Sequence, residues 1–520
     1  MFKTLANAWR VEDLRKKLIF TILIILLYRL GSSIPVPFAS SLIIAQGSTF
    51  QFINTLTGGG FEQASLFALG VSPYITASIV IQLLTVALPP LERLAKQGEE
   101  GKKKITQITR YITIGIAIVT GVGYYFLLKS SGAISTPFEV ASKGGTIALN
   151  WLVGVTVVAC YCAGSSIVMW LAERINEHGI GNGVSVILFA NIVSRAFPLL
   201  LKFIEMFRLE INGMGGIRAQ EITQSTLNSA LDMQIKNGAI ELFPKYDLMG
   251  NKIPVGSILF TIFVLAGLLA MMWFIIFISD SERRIPVQYA KRVVGRKMYG
   301  GQNSNIPLKL NMAGVMPVIF ANAIITIPAM VAQFIPITKE VVGGDGEGIP
   351  AANGEILIEA RGVWASIVQF FSDTSWFYCI LTFGLILAFA YFYVAISFNP
   401  NEVAGNLQKN GGAVPGIRPG KATATFIQKV LSKITLIGAL ALSVIAVVPS
   451  IIHVVLDLLR RWDFIYDTVP QLSTALWAFT RISELATIGT SVIIVVGVVL
   501  EIVRDIEAQM TMRHYKGFLG

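Results

Sequence analysis

Charge is scarce in this chain. Only 14% of its 520 residues are Asp, Glu, Lys or Arg, against about 25% in an average soluble domain. Cysteine is scarcer still, at three residues, too few for a disulfide framework. Cys160 and Cys162 stand two apart in an apolar run, where a helix turns them to different faces. They read as small packing residues. The three histidines, His178, His453 and His514, are far apart, and no His-Glu-x-x-His pair occurs. Neither a Gly-x4-Gly-Lys-Ser/Thr phosphate loop nor a Gly-x-Ser-x-Gly nucleophile elbow is present. These absences exclude a secreted disulfide scaffold and ATP hydrolysis through a phosphate loop. The expectation is a non-enzyme with no metal and no cofactor.

What is abundant is apolar sequence. Hydrophobic residues make up 54% of the chain and the mean hydropathy is +0.66, which together indicate a polytopic membrane protein rather than a soluble or disordered one. A spanning helix needs about 20 mostly apolar residues. Ten stretches qualify: 18–34, 68–88, 111–128, 151–171, 181–200, 257–279, 312–335, 377–398, 431–455 and 485–503. The first follows an amphipathic start, Trp9 to Lys17, with no small-residue cleavage site, so it is not a signal peptide.

The net charge of +11 is unevenly spread. With both termini on one side, the segments on that side hold 26 Lys and Arg and the opposite loops 13. The positive-inside rule then makes both termini cytoplasmic. Two cytoplasmic loops stand out. Residues 280–310 carry Arg283, Arg284, Lys291, Arg292, Arg296, Lys297 and Lys309, and the Gly- and Pro-rich 399–429 carries Lys409, Arg418 and Lys421. Each is read either as a topology determinant or as a docking surface for an anionic partner.

The spans themselves are nearly free of charge. Asp, Glu, Lys and Arg are missing from 63–91, 111–128, 144–172, 178–194, 253–279, 310–338, 374–401 and 434–456. Intramembrane charges mark proton relays and ion pathways, so a coupled ion transporter is disfavoured. The second span is instead decorated with neutral polar residues, Ser72, Thr76, Ser78, Gln82 and Thr85. They fit either a helix lining a polar interior or ordinary interhelical hydrogen bonding. Before it, Phe50 to Phe67 is too short and too broken by Gly58, Gly59 and Gly60 to span. It is either a re-entrant element or a plain external loop, and the residues alone favour the loop. The glycine cluster Gly179-Ile180-Gly181-Asn182-Gly183 follows no strand and reads as a tight turn between the fourth and fifth spans.

An internal repeat orders the ten stretches. Gly70-Val71-Ser72-Pro73-Tyr74-Ile75 opens the second, and Gly314-Val315-Met316-Pro317-Val318-Ile319 opens the seventh. Each is the second span of a five-span half, so the second half is inverted in the membrane. Inverted repeats place a pathway at their interface. A pathway lacking charges suits a long, chemically varied chain as its cargo. Secondary transport of a small uncharged solute is the alternative, and a purely structural scaffold a third.

Several longer motifs run along nearly the whole chain. They are Phe67 to Ser78 (FALGVSPYITAS), Glu177 to Gly183 (EHGIGNG), Arg283-Arg284-Ile285, Tyr289-Ala290-Lys291-Arg292, Leu308 to Val315 (LKLNMAGV), Phe398-Asn399-Pro400 and Val414 to Gly420 (VPGIRPG). In these the sequence resembles the SecY family of protein-translocase channel subunits.

The resemblance implies an all-α polytopic membrane protein of ten transmembrane helices, in two inverted five-helix halves around a central pore. Residues 1–200 would form one half and 257–520 the other, with cytoplasmic loops 280–310 and 399–429. The external loop 201–256 is longer than the family leads us to expect and reads as an insertion or a small cap. By motif position, the pore ring would be Val71, Ile75, Val184, Leu188, Ile319 and Ile494. Residues 50–66, with Gly58, Gly59 and Gly60, would be a movable plug. Gln82 and Asn311 would be polar residues of a lateral gate. Arg283, Arg284, Lys291, Arg292, Arg296, Lys297 and Arg418 would meet a ribosome or the SecA ATPase. SecE and SecG are the expected small membrane subunits; signal peptides and nascent secretory or membrane proteins are the expected cargo. The lipid bilayer would receive the released helices. With no transit-type leader, the expected site is a bacterial cytoplasmic membrane.

Overall fold

The computed structural model describes residues 9–42, 49–134, 146–195, 246–248, 251–253, 255–289, 292–294, 297–299, 303–332, 370–371, 375–460 and 484–516. Helices dominate. A helix lies on each of the ten apolar stretches. In chain order these are α1 (Glu12–Ser32), α3 (Ser72–Ala87), α5 (Glu99–Ser130), α6 (Thr146–His178) and α7 (Gly183–Arg195), then α8 (Val255–Asp280), α9 (Met316–Ile325) with its continuation α10 (Ile327–Ala332), α11 (Trp376–Ser397), α13 (Lys421–Arg460) and α14 (Glu484–Lys516). Two more short helices precede them locally: α2 (Thr49–Leu56) and α4 (Pro89–Ala95); α12 (Pro400–Lys409) follows α11. By length and apolarity alone, four of the described helices can cross a membrane, or five if the bent pair α3–α4 is one span. Most of the predicted loop 201–256 lies outside the described residues; its end forms a short hairpin, β1 (Tyr246–Leu248) with β2 (Asn251–Ile253).

Prolines set the breaks. α3 ends at Leu88, which precedes Pro89-Pro90, and α4 turns 104° away. A residue before proline is driven out of the helical region, and Leu88 is extended at φ −108°, ψ 115°. The predicted seventh span, 312–335, is interrupted at Thr326. Pro328 has no N–H to give and its ring crowds the carbonyl four residues back, so the helix cannot run through unbroken.

The two copies of Gly-Val-x-Pro fold alike. Gly70 and Gly314 take left-handed φ values of 53° and 64°. Val71 and Val315 follow as helix N-caps at φ −89° and −91°, with the proline in the first turn of the helix. A proline there forfeits no intrahelical hydrogen bond. The Glu177–Gly183 motif is the tight turn expected from its glycines. Asn176 Oδ1 accepts from Gly183 N at 2.7 Å, and Asn182 Oδ1 caps α7 by accepting from Val184 N at 3.1 Å.

Packing makes one large core and several satellites. α3 packs on α5, α5 on α6, and α1 on α6; α9 packs on α3, α11 and α14; α13 packs on α11 and α14. The two basic loops, separate in sequence, fold into one unit. β3 (Glu282–Tyr289) pairs antiparallel with β6 (Asn303–Lys309), and on its other edge with β7 (Gly412–Ala413). Between β3 and β6, β4 (Arg292–Val294) and β5 (Lys297–Tyr299) form a small hairpin. Ile285 and Val287 alternate inward on β3 and, with Leu308, pack against Leu407, Ile427 and Ile434 from α12 and α13.

Leu308 is 1% exposed, so Leu308→Ala should cost about 2–5 kcal/mol of local stability. Trypsin should then cut the 282–309 hairpin faster than in the parent or in the exposed-site control Ser304→Ala. An unchanged rate would mean that this core does not hold the hairpin.

Candidate pore and gate

The six predicted ring residues come from four helices. Val71 and Ile75 stand at the start of α3, Val184 and Leu188 on α7, Ile319 on α9 and Ile494 on α14. All six belong to the same hydrophobic cluster. Val184 is half-buried, whereas the other five are between 1% and 5% exposed. Ile75, Leu188, Ile319 and Ile494 line a cavity of about 20 Å³, room for about one water. Val71 and Val184 pack around it without lining it. The arrangement is a closed apolar constriction. Water in a narrow apolar neck is unfavourable, and hydrated ions are excluded with it.

The residues before α3 close one side of this cavity. Leu56, the last residue of α2, lines it with the ring. From there the chain turns at Gly58 and Gly59, whose φ values of 66° and 92° lie in the left-handed region. At Gly58 a side chain would also run into Arg29 Nη1 at 2.6 Å and Asn191 Oδ1 at 2.9 Å. Gly60 faces Ser65 Oγ, 2.8 Å from where its Cβ would stand. The segment is therefore packed rather than a plain external loop. Ile53, Phe61, Ala64 and Ala68 are buried against Tyr124, Leu128, Val157 and Tyr161 of α5 and α6. Tyr124 Oη donates to the Phe61 carbonyl, and Phe67 stacks on Tyr28 of α1 with ring centroids 5.5 Å apart. The glycines here make a tight, packed turn.

The gate candidates are placed differently from the ring. α3 and α9 are in direct contact, so the seam between them is shut. Gln82 is half-buried, and its Nε2 donates along its own helix to Ser78 Oγ at 3.3 Å. Asn311 is half-buried ahead of α9, where the 310–311 backbone runs against Gly438 of α13. Among the described residues no hydrogen bond joins Gln82 to Asn311. The polar groups that line the small cavity are others: Ser72 and Thr76 from α3 and Asn322 and Thr326 from α9. Thr76 and Thr326 satisfy their hydroxyls on carbonyls of their own helices. Asn322 is 2% exposed, and among the described residues neither amide atom has a partner. Sequence reasoning passed over Asn322, although an amide inside the apolar run Val318–Ile327 was visible.

The basic residues gather on the sheet formed by the two loops. Arg283 and Arg284 project from β3 into solvent, with Arg284 Nε 2.6 Å from Glu282 Oε1. Arg418 is exposed on the 412–420 turn, whose backbone is tied to α13 by Thr423 Oγ1 donating to the Arg418 carbonyl at 2.8 Å. Arg292 and Lys297 lie on the β4–β5 hairpin, and Lys291 and Arg296 fall outside the described residues. Lys309 is half-buried at the base, and burial together with nearby Arg504 pushes its ammonium below the ordinary lysine range.

The SecY family model matches residues 65–503. The whole chain is 38% identical to the whole of the protein translocase subunit SecY of Streptomyces galbus, and 35% identical to that of Mycobacterium tuberculosis, again over all of both chains. Among solved structures the fold is similar to one described as a protein conducting channel. The identity is 17% and the TM-score 0.54, over 95% of this chain and 92% of that one. It is also similar to Sec61 in the canine ribosome–channel complex from the endoplasmic reticulum, at 17% identity and a TM-score of 0.51, with the same coverage.

A buried unpaired amide costs about 1–3 kcal/mol. Asn322→Leu should therefore leave the purified chain as stable as the parent or more so, read as an unchanged or higher thermal midpoint in detergent. A lower midpoint would show that the amide has a stabilising partner in the cavity.

Proposed function

The chain belongs to the SecY family, and we propose that it is a protein-conducting channel. It moves unfolded secretory polypeptides across the bacterial cytoplasmic membrane and releases transmembrane segments sideways into lipid. The observation that carries this reading is the convergence of Ile75, Leu188, Ile319 and Ile494, from four helices, on one closed constriction. Branched apolar side chains can seal around a moving peptide of any sequence, whereas a charged ring would hold some segments and repel others. A small-solute transporter needs a formed binding pocket, generally of some 300–1,000 Å³. The cavity at this constriction is about 20 Å³, which does not favour that alternative.

Ten spans in two inverted halves is the architecture proposed, with both termini cytoplasmic. Its support is the helix on each apolar stretch and the matching geometry of the two Gly-Val-x-Pro turns. In this arrangement residues 50–66 are the plug and Gly58 its turn. α3 and α9 are the two faces of the lateral gate, with Gln82 and Asn311 along its polar edges. The chain carries no phosphate loop, so the driving force comes from a partner and this subunit acts as conduit rather than enzyme. The partners are the SecA ATPase or a ribosome, with SecE and SecG as small membrane subunits. Arg283 and Arg284, exposed on β3, and Arg418, exposed on the turn after β7, are the docking charges, joined by Lys291, Arg292, Arg296 and Lys297. Arginine suits this task because its planar fork binds phosphate or carboxylate bidentately.

Site-specific photocrosslinking tests the pore. A photoreactive residue at position 319, with a control on the lipid-facing side of α13 such as Ile437, is presented with a jammed precursor. The precursor should crosslink at 319 and not at 437. A precursor bound to the membrane with no crosslink at 319 would refute the pore. On the docking sheet, Arg418→Glu should slow association with the motor or ribosome and flatten its salt dependence; unchanged kinetics would remove Arg418 from the interface.

A further inference from the structure

A chain of polar contacts ties the segment beneath the ring to two helices. Asn191 is buried on α7, and its Nδ2 donates both to the Leu56 carbonyl at 2.7 Å and to Tyr28 Oη of α1 at 2.9 Å. One helical turn on, Arg195 Nη2 meets Glu62 Oε2 at 3.1 Å. The same Glu62 oxygen accepts from Asn54 Nδ2 at 2.7 Å, while Glu62 N donates to Asn54 Oδ1 at 3.1 Å. Arg29 Nη1 reaches the Gly58 carbonyl at 3.4 Å. The 49–71 segment is thus fastened at Leu56, Gly58 and Glu62, on both sides of its glycine turn.

We propose that Glu62 and Arg195, seated by Asn54 and Asn191, form a latch that sets how hydrophobic a signal segment must be to open the channel. The proposal rests on the protein-channel reading above and assigns it its specificity-determining residues. A ligand shifts an equilibrium only by its differential affinity for the two states. A signal segment draws that free energy from apolar residues entering lipid, in steps set by each Leu, Ile, Phe or Val. Whatever holds the segment closed therefore fixes the number of apolar residues required. Two tiers do the holding. Asn191 is buried, and releasing the segment leaves the amide hydrogen it gives to Leu56 unpaired, a cost that resists spontaneous opening. Glu62 and Arg195 are 47% and 25% exposed, so their attraction is screened and small, a factor of about five at most in the closed-to-open ratio. A contact of that size adjusts the threshold without locking the channel.

The test reconstitutes the full chain with its small subunits in liposomes. Two readouts are taken: halide leak at rest, and motor-driven import of precursors whose signal segments lose leucines one at a time. The variants are Glu62→Gln, Arg195→Gln and the charge swap Glu62→Arg with Arg195→Glu, with the distant surface change Glu92→Gln as control. Each single change should raise the resting leak about two- to fivefold and admit signals shorter by about two leucines. The swap should restore both values, and Glu92→Gln should alter neither. Raising salt on the Glu62 side should loosen the parent toward the single variants. Singles as tight and selective as the parent would overturn the latch, as would a swap as loose as the singles, which would assign the effect to packing. Failure of the parent to import any precursor would instead count against the channel reading, and the leak values would still judge the latch.

Discussion

Everything in this molecule depends on closing a passage without using charge. The helices that meet at the constriction bring Ile75, Leu188, Ile319 and Ile494 there, backed by Val71 and Val184, and no charged side chain lines the cavity. Apolar closure has two consequences. It excludes ions by refusing water rather than by opposing their charge. It also lacks direction, so it does not by itself hold a single closed geometry. The specificity of the resting state must come from elsewhere.

Polar groups placed just off the constriction supply it. Asn191 holds Leu56 at the cavity, and the turn at Gly58 and Gly59 lets the chain double back beneath the ring. At Gly58 both constraints coincide, a left-handed backbone and neighbours that leave no room for a Cβ. On the other side of the cavity, Asn322 keeps an amide with no partner among the described residues. The Asn191 amide on α7, which donates to Leu56, and the Asn322 amide on α9, which lacks a partner there, bias the two elements oppositely. The first resists opening, and the second gains partners when water or a polar peptide backbone enters.

Much of this was legible in the sequence, for physical reasons that differ by residue. The helices were visible because apolar runs report burial directly. The two Gly-Val-x-Pro turns were visible because only glycine takes the left-handed step cheaply and only a first-turn proline is free of cost. The proposed ring residues rest on the family motifs, since an isoleucine in an apolar helix is otherwise indistinguishable from packing. The contacts that were missed are long-range. Glu62 and Arg195 lie 133 residues apart and Asn191 and Leu56 lie 135 apart, and no local pattern joins them. The same holds for β3 and β7, which join the two basic loops in one sheet. The gate pair Gln82 and Asn311 follows from the family resemblance together with their polarity. Polarity did not foretell that Gln82 bonds to its own helix while Asn322 faces the cavity.

A seal of apolar side chains at the constriction is what the channel's resting state requires. The direct measurement is the conductance, across a planar bilayer, of the complex bearing Ile75→Ser, Leu188→Ser and Ile319→Ser together, with no precursor present. A hydrated neck should conduct ions at rest while the parent stays silent. If the triple variant is folded and as silent as the parent, the seal lies elsewhere and these residues are only a packed core.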